Sequence, residues 1–307
     1  HGAEDDQRHG CSDDIGRAYR SYRYVKSTDG GRTWSRPRRA IDSQQQTPGR
    51  FDEGYAIDYH VEPAREDRPA RVQLTWQMHG GGGHNRGTRN NYFACFMPAD
   101  ETFRSADGTD LGACIDYREM EAKCVVERAE EPRGHPFGYS TTSTSLPGGT
   151  PLVLYRYYDE VRLARWDGSE WRKATAAVPR AGDITTTDDG TVRVFGAMGG
   201  RRLFISASSD GGRTWKLTWS GDVPHANGSD AISNRAFITN YHPDVQALAC
   251  CVDRDRSYSN YQGLWPVVVV RAAAPVSGRP RTRTSRSQPT GRRWSTGPGS
   301  RGPRSRR

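Results

Sequence analysis

Short runs in which apolar and polar residues alternate are the main pattern along this chain. One run extends from Arg71 to His79, with apolar residues at alternate positions: Val72, Leu74, Trp76 and Met78. Successive side chains of a strand point to opposite faces of its sheet, so this run predicts a strand with one apolar face. Similar runs predict strands at 22–26, 91–96, 152–156, 161–166, 191–195, 203–206 and 265–270. The charged segment 114–134 has no regular period, and no helix is predicted there.

Tight turns separate the predicted strands, and one eight-residue turn occurs twice. The sequence STDGGRTW at 27–34 returns as SSDGGRTW at 208–215. Asp29 can accept hydrogen bonds from the backbone N–H groups that follow it, and the paired glycines can supply positive φ angles. Trp34 offers the returning strand a large apolar anchor. We therefore expect both turns to stabilise hairpins and to take no part in catalysis.

The spacing of the turn aspartates predicts a repeat architecture. Asp29, Asp107, Asp167 and Asp210 lie roughly 40 to 80 residues apart, and a four-stranded propeller blade takes about 40 to 50 residues. The sequence therefore predicts an all-β fold, a β-propeller of four-stranded blades with loop insertions. Residues 1–275 would form about five or six blades, and the Arg-, Pro-, Ser- and Gly-rich residues 276–307 would form a disordered tail.

Composition and charge narrow the classes of function. The hydrophobic fraction of 34%, the mean hydropathy of −0.87 and the 34 glycines are typical of short strands with many polar turns. The net charge of +9 comes from residues 256–307, which hold 12 arginines and no acidic residue. Without them the body is slightly acidic, so nucleic-acid binding by the folded part is not expected. The chain has no run of some 18 apolar residues, so no membrane partner is expected.

Several stretches occur in an order that resembles a known family. They are the two STDGGRTW-like turns, RVQLTW at 71–76, HNRGTRNNYFACF at 84–96, SADGTDLG at 105–112, and PLVLYR at 151–156 with VRLARWDGSEW at 161–171. Together they resemble the BNR-repeat, or Asp-box, β-propellers, and among these the polysaccharide lyases that include ulvan lyases. Sialidases share the turn but need an Arg-Ile-Pro segment, which this chain lacks.

The resemblance implies an architecture, a location and a substrate. Its members are seven-bladed, so we expect this chain to be incomplete at its N-terminus. We expect a monomer that is secreted or periplasmic and acts on an acidic polysaccharide by β-elimination. Two alternatives remain open: an exo-acting glycoside hydrolase on the same scaffold, and a non-catalytic propeller that binds carbohydrate or protein.

Elimination from a uronate needs a cation beside the carboxylate, a base for the C5 proton and an acid for the leaving oxygen. Arg suits the first role, and His and Tyr suit the others. The resemblance implies a catalytic Tyr about sixteen residues before an Arg that opens a strand. Tyr55 and Arg71 match this spacing, and Tyr139 and Arg156 form a second candidate pair. A packed tyrosine and a surface arginine are the alternatives for Tyr55 and Arg71.

Histidines complete the candidate site. The resemblance implies that His1, in the segment HGAE, is a catalytic histidine. A glycine loop is flanked by candidate substrate-binding residues: His79, His84, Asn85 and Arg86. Ordinary exposed loop histidines are the alternative for His79 and His84.

Six cysteines include no CxxC motif, so neither a zinc ribbon nor a thioredoxin-like site is indicated. Cys114, Cys124 and His135 could hold a structural zinc, since thiolate and imidazole are ligands that zinc prefers. A disulfide or buried free thiols are the alternatives. Elimination as described requires no cofactor.

Overall fold

The computed structural model describes residues 21–43, 52–80, 88–130, 136–138, 140–199, 202–222, 231–237, 245–252 and 267–271. The strands in these ranges are β1 Tyr22–Tyr24, β2 Arg38–Ile41, β3 Asp52–Glu62, β4 Arg71–Gly80, β5 Thr88–Met97, β6 Thr102–Arg104, β7 Asp110–Gly112, β8 Val125–Arg128, β9 Thr141–Ser145, β10 Pro151–Tyr157, β11 Glu160–Trp166, β12 Trp171–Thr175, β13 Asp183–Thr186, β14 Val192–Gly199, β15 Arg202–Ser208, β16 Lys216–Asp222, β17 Ala231–Phe237, β18 Val245–Val252 and β19 Val267–Arg271. One helix, α1 Tyr117–Lys123, accompanies them in the described ranges.

The strands pair as consecutive antiparallel sheets. β1 pairs with β2, and the first large sheet has the order β3-β4-β5-β6-β7 with β8 also on β5. The second sheet is β9-β10-β11-β12, the third is β13-β14-β15-β16, and β17-β18-β19 follow. β3 contacts β9, and β9 contacts β13, so the first strands of successive large sheets are neighbours. The prediction of a nearly all-β fold with four-stranded sheets is confirmed, whereas the number of blades stays a prediction.

Apolar residues fill the spaces between successive sheets. Phe93, Val153 and Ala164 belong to a buried cluster between the first and second sheets. Leu154, Leu163 and Phe204 belong to another between the second and third sheets. Because each sheet buries a face against its neighbour, the ends of the strands, rather than the faces, carry the exposed chemistry.

The two STDGGRTW-like turns have the same hydrogen bonds. Asp29 Oδ1 accepts from the backbone N–H groups of Arg32 at 3.0 Å and Thr33 at 2.9 Å, and Oδ2 accepts from the Thr33 hydroxyl at 2.7 Å. Asp210 repeats these contacts with Arg213 and Thr214. The turns lie between β1 and β2 and between β15 and β16. Both therefore close hairpins, as the sequence predicts.

The tryptophans of the two turns differ in burial. Trp215 is half-buried and packs against the cluster between the second and third sheets. Trp34 is 61% exposed, so the expectation that it anchors its hairpin in an apolar layer is wrong for the first turn. The turn geometry is thus independent of the tryptophan's burial, because the aspartate and serine bonds define it.

Helix α1 lies in the charged segment for which no helix was predicted. Asp116 accepts from the Glu119 backbone N–H at 2.8 Å, and the Glu119 side chain returns a contact to the Asp116 N–H. This reciprocal capping starts the helix, and Met120 buries its apolar side. None of the helices in the described part of the chain is long and apolar enough to cross a membrane.

The contacts divide the chain into one unit of His1–Ala272 and another of Ala273–Arg307. The second unit lies outside the described residues, as does the predicted boundary after residue 275. The disordered tail stays a prediction.

Candidate functional site

The two first-ranked candidates, Tyr55 and Arg71, lie at opposite ends of the β3–β4 hairpin. Arg71 pairs with Glu62 beside the turn, and Tyr55 pairs with Gln77 at the other end. Arg71 and Gln77 are six residues apart along β4, which corresponds to about 20 Å of extended strand. The structure therefore does not bring together the two residues that the sequence selects as partners in one catalytic site.

The Arg71 side chain forms hydrogen bonds with both the first and the second sheet. Its Nε donates to Glu62 Oε2 at 2.7 Å, and its Nη2 donates to Ser145 Oγ at 3.0 Å and to the Gly149 carbonyl at 2.9 Å. Burial would raise the pKa of Glu62, but the hydrogen bonds and charge of Arg71 and a contact with Ser145 lower it below its ordinary value. Arg71 therefore joins the first sheet to the second and is not placed as a free carboxylate-binding group.

A row of polar side chains crosses the first sheet at the Tyr55 end. Tyr55 pairs with Gln77, Gln77 with Asn91, and Asn91 with Glu127. Directly paired residues share a face, and Phe93, two residues after Asn91, places this face against the second sheet. Gln77 and Asn91 are fully buried. The amide of Asn91 makes no hydrogen bond to another described residue, which is uncommon for a buried amide and marks this row as a candidate for function.

The polar row contacts the second sheet at the same end. Gln77 Nε2 donates to the carbonyls of Phe137 at 3.3 Å and Ser140 at 3.2 Å. Glu127 accepts from the Tyr155 hydroxyl and from Arg162 Nη1, each at 2.6 Å. Burial, and then the neighbouring Glu127 carboxylate, raise the pKa of Tyr155 well above its ordinary value, so Tyr155 stays a neutral hydrogen-bond donor.

Arg156 and Tyr158 project from the second sheet beside this row. The Arg156 backbone N–H donates to the Ser140 carbonyl at 3.3 Å, the group that Gln77 also contacts. The Arg156 side chain is 45% exposed, and Nη2 lies 3.3 Å from Asp159, which is fully exposed. Tyr158 is 44% exposed and has a positive φ of 52°, a conformation that is uncommon outside glycine and is found at functional sites. An arginine and an aromatic ring are thus presented together to solvent.

The Tyr55 end is defined here as the end of the first two sheets that carries Tyr55, Gln77, Arg156 and Tyr158. The backbone of His79 lies at this end, where it pairs with Glu53 and Thr88. Its side chain is not among the described ones. The remaining predicted site residues lie outside the described residues: His1, His84, Asn85, Arg86, Tyr139 and His135.

Two of the three predicted zinc ligands, Cys114 and Cys124, lie in the described part of the chain, and His135 lies outside it. Cys114 is disulfide-bonded, so its sulfur is not a thiolate ligand. Cys124 and Cys95 are buried free thiols, and burial raises the pKa of Cys95 to about 12. Within the described residues, no group of three or more His, Cys, Asp or Glu side chains could hold a metal ion.

Comparisons with solved structures identify the architecture. The chain is similar to a polysaccharide lyase, an ulvan lyase, with a TM-score of 0.55 and 20% identity over 75% of this chain. A second structure of that lyase, bound to -[GlcA(1-4)Rha3S]-, gives the same TM-score, identity and coverage. The fold is that of a β-propeller. This chain covers 56% of the length of that ulvan lyase.

Two further solved structures show weaker similarity. An α-L-arabinanase of Penicillium chrysogenum has a TM-score of 0.40 at 12% identity, over 75% of this chain and 62% of its own. A fucose-specific lectin of Aleuria aurantia has a TM-score of 0.36 at 13% identity, over 74% of this chain and 64% of its own. No protein-family profile and no curated protein sequence matches the chain.

The sequence did not indicate Gln77, Asn91, Glu127 or Tyr158 as site residues. The alternation along β4 places Gln77 on the face opposite Trp76 and Met78, and that face proves to be buried against the second sheet. The sequence does contain an indication for Tyr158, because it lies in the two-residue link between the strands at 151–157 and 160–166. Such a link commonly needs a positive φ angle, and an aromatic residue there is unusual.

Proposed function

We propose that this protein is a polysaccharide lyase that cleaves a uronate-containing chain by β-elimination at the Tyr55 end of its first two sheets. The observation that carries the proposal is the half-exposed guanidinium of Arg156, which lies at the same end as Tyr55 on neighbouring sheets. Similarity to a lyase bound to a glucuronate-containing fragment supports this substrate class. Because this chain covers 56% of that lyase, the activity of the whole enzyme is part of the proposal.

The reaction removes the C5 proton of the uronate and expels the oxygen at C4. The C5–H bond breaks first or together with the C4–O bond, and its electrons form the C4=C5 double bond. The C5 proton is weakly acidic until a cation offsets the charge that develops on the neighbouring carboxylate. One side chain takes the proton and another returns a proton to the leaving sugar oxygen.

Arg156 is assigned the carboxylate-neutralising role in place of Arg71. Its guanidinium can form two parallel hydrogen bonds with a carboxylate, and its present ionic partner, Asp159, is fully exposed. A surface ion pair of this kind is weak, so a substrate carboxylate can displace it. Arg71, in contrast, would have to leave Glu62 and the second sheet.

Proton transfer is assigned to Tyr55 together with the histidines of the glycine loop. The row of buried polar groups beside Tyr55 can orient its hydroxyl. His79 extends β4 to this end, and His84 follows it in the chain. Imidazole titrates near neutral pH, which makes either histidine a suitable base. Tyr139 stays a candidate for the same role on sequence grounds.

The structure gives less support to a hydrolase. Canonical glycoside hydrolysis uses two carboxyl groups on either side of the bond. Glu127 is the buried carboxylate of the polar row, and it is held by both Tyr155 and Arg162. Both partners occupy the Glu127 carboxylate, so it is not free to contact a glycosidic oxygen.

Incubation with a panel of uronate polysaccharides tests the proposal. A lyase yields chains that end in an unsaturated uronate, which absorbs ultraviolet light, and a hydrolase adds water and yields none. We expect absorbance to rise with a glucuronate–rhamnose polysaccharide and mass spectrometry to find products without added water. Products that carry an added water would assign the site to hydrolysis, and absence of any product would contradict the lyase proposal.

A further inference from the structure

A second concave site lies at the opposite end of the strands from Tyr55. Three turns surround a cleft of about 750 Å³: Gly148–Thr150 between β9 and β10, Asp167–Gly168 between β11 and β12, and Gly211–Arg213 between β15 and β16. Arg71 also lines it, from the start of β4. This volume is in the range of small-molecule binding sites. Tyr55 and Arg156, the described residues to which catalysis is assigned, are not among its lining residues.

The cleft is lined by five cations: Arg71, Arg165, Arg172, Lys173 and Arg213. Three of them face carboxylates, since Arg71 contacts Glu62 at 2.7 Å, Arg172 contacts Asp167 at 2.6 Å, and Lys173 lies 3.8 Å from Glu127.

The other two, Arg165 and Arg213, form no ion pair within the described residues. The Arg165 guanidinium lies against the third turn, because its Nη1 is 3.2 Å from the position that a Cβ on Gly211 would occupy. Two guanidinium groups that have no ion pair in the described part of the chain thus face one cleft, in a body that is otherwise slightly acidic.

The rest of the lining suits a sugar chain. Trp166 lines the cleft and is held edge-on by Trp171 with ring centroids 5.4 Å apart. An aromatic side chain held in this way offers a fixed apolar surface to a sugar ring. A Cβ built on Gly148 or Gly168 would meet no atom within 4 Å, so the glycine turns leave open space. The cleft therefore combines anion-binding groups with a flat apolar wall.

We propose that this cleft is a second binding site for an anionic polysaccharide, held through Arg165 and Arg213. Carboxylates and sulfate esters both match the planar donor geometry of guanidinium groups. A chain bound here would stay attached to the protein while another stretch enters the Tyr55 end. The class of ligand rests on the proposed function. The presence of the cleft, with two arginines that form no ion pair with a described residue, is independent of that function.

The experiment compares charge-matched variants of the full chain. Arg165→Gln with Arg213→Gln removes two cations from the cleft. Arg32→Gln with Arg36→Gln removes two exposed cations elsewhere, and Arg32 holds the same position in the first turn that Arg213 holds in the second. Gly148→Phe fills the open space without changing charge. Binding of oligogalacturonate, dextran sulfate, neutral dextran and single-stranded DNA is measured by calorimetry, with thermal unfolding as the check on folding.

We expect the Arg165/Arg213 variant to raise the Kd for an anionic oligosaccharide about tenfold or more, and the Arg32/Arg36 variant to change it less than about twofold. Gly148→Phe should also weaken binding, and dextran should not bind. The stronger of the oligogalacturonate and dextran sulfate signals identifies the preferred anion. Equal losses in both double variants, unchanged binding in the cleft variants, or equally tight DNA binding would overturn the proposal.

Failure of this proposal can be told apart from failure of the lyase proposal. The Arg165/Arg213 variant should form unsaturated product from a short oligosaccharide at the wild-type rate, because such a substrate cannot span both ends. Loss of polysaccharide affinity with that rate unchanged supports the second site. Absence of product from the wild-type chain contradicts the lyase proposal but leaves the binding comparison interpretable.

Discussion

At the scale of single residues, the two repeated turns allow a matched comparison of one glycine in two surroundings. Gly31 and Gly212 hold equivalent positions with φ angles of 87° and 92°. A Cβ on Gly31 would lie 3.7 Å from Trp34, which is ordinary contact, but a Cβ on Gly212 would lie 2.1 Å from Leu163 Cδ2. The second turn packs on β11, and the first has no such neighbour among the described residues.

We predict that Gly31→Ala lowers the free energy of unfolding by about 1 kcal/mol, the cost of a positive φ angle for alanine. Gly212→Ala should lower it by about 2 to 4 kcal/mol, because overpacking against Leu163 adds to that cost. Urea denaturation of both variants measures the difference. Equal losses would mean that the second turn does not press against β11.

The lowered pKa values of the turn aspartates predict that the protein loses stability in acid. Hydrogen bonds, chiefly from Thr33, lower the pKa of Asp29 from 3.8 to about 2, and similar turn bonds lower those of Asp107 and Asp189 to about 2. A carboxyl group whose pKa is lower in the folded state than in the unfolded state stabilises the folded state at pH values above its unfolded pKa. The stabilisation is lost as the pH falls from about 4 through about 2.

The variant Asp29→Asn with Asp107→Asn and Asp189→Asn tests this dependence. Urea denaturation at several pH values should show a steeper loss of stability between pH 4 and 2 in the wild type than in the triple variant. Identical slopes in the two proteins would show that these carboxyls titrate alike in the folded and unfolded states.

At the scale of elements, the contact of Arg71 with Glu62, Ser145 and Gly149 joins the first two sheets. Both charged side chains are largely buried, with exposed fractions of 17% and 14%. Arg71→Gln should therefore lower the free energy of unfolding by about 2 to 4 kcal/mol, because it leaves the Glu62 carboxylate buried without its partner.

A double variant separates the ion pair from other effects of Arg71. Glu62→Gln with Arg71→Gln removes both charges and should recover part of the stability lost in Arg71→Gln. Thermal unfolding and urea denaturation provide the comparison. A double variant less stable than either single variant would contradict the paired arrangement.

Middle strands of the second and third sheets could be predicted from the sequence, but the first and last strands of these sheets could not. β10, β11 and β15 are apolar runs that begin and end within two or three residues of their predicted limits. β9 has the sequence TTSTS, with no apolar residue. Its hydroxyl groups face β13, the first strand of the third sheet. The Thr142 hydroxyl donates to the Asp183 carboxylate there at 3.1 Å. Small polar residues pack where first strands meet, and hydrophobic alternation does not detect them.

The candidate site was only partly predictable for a related reason. Spacing along the chain selected Tyr55 and Arg71, but register decides which strand end each residue occupies, and 20 Å of strand separates them. Arg156, the second choice from sequence, lies at the Tyr55 end because β10 runs antiparallel to β9. Pair register and inter-sheet contacts are long-range features, and no local pattern encodes them.

At the scale of the whole molecule, two kinds of surface lie at the two ends of the strands. The Tyr55 end carries Arg156 and Tyr158, and the opposite end carries the basic cleft with Arg165 and Arg213. Such a division suits a protein that holds a long anionic chain and cleaves it at one point.

The rate of unsaturated-product formation from a glucuronate–rhamnose polysaccharide tests the central claim most directly, when it is compared between Arg156→Gln and Arg71→Gln. We predict that Arg156→Gln stays as stable as the wild type and loses about a hundredfold or more in turnover. Arg71→Gln should be less stable, yet keep most of its turnover per folded molecule. Wild-type turnover in Arg156→Gln, or a loss of turnover confined to Arg71→Gln, would contradict the placement of the site at the Tyr55 end.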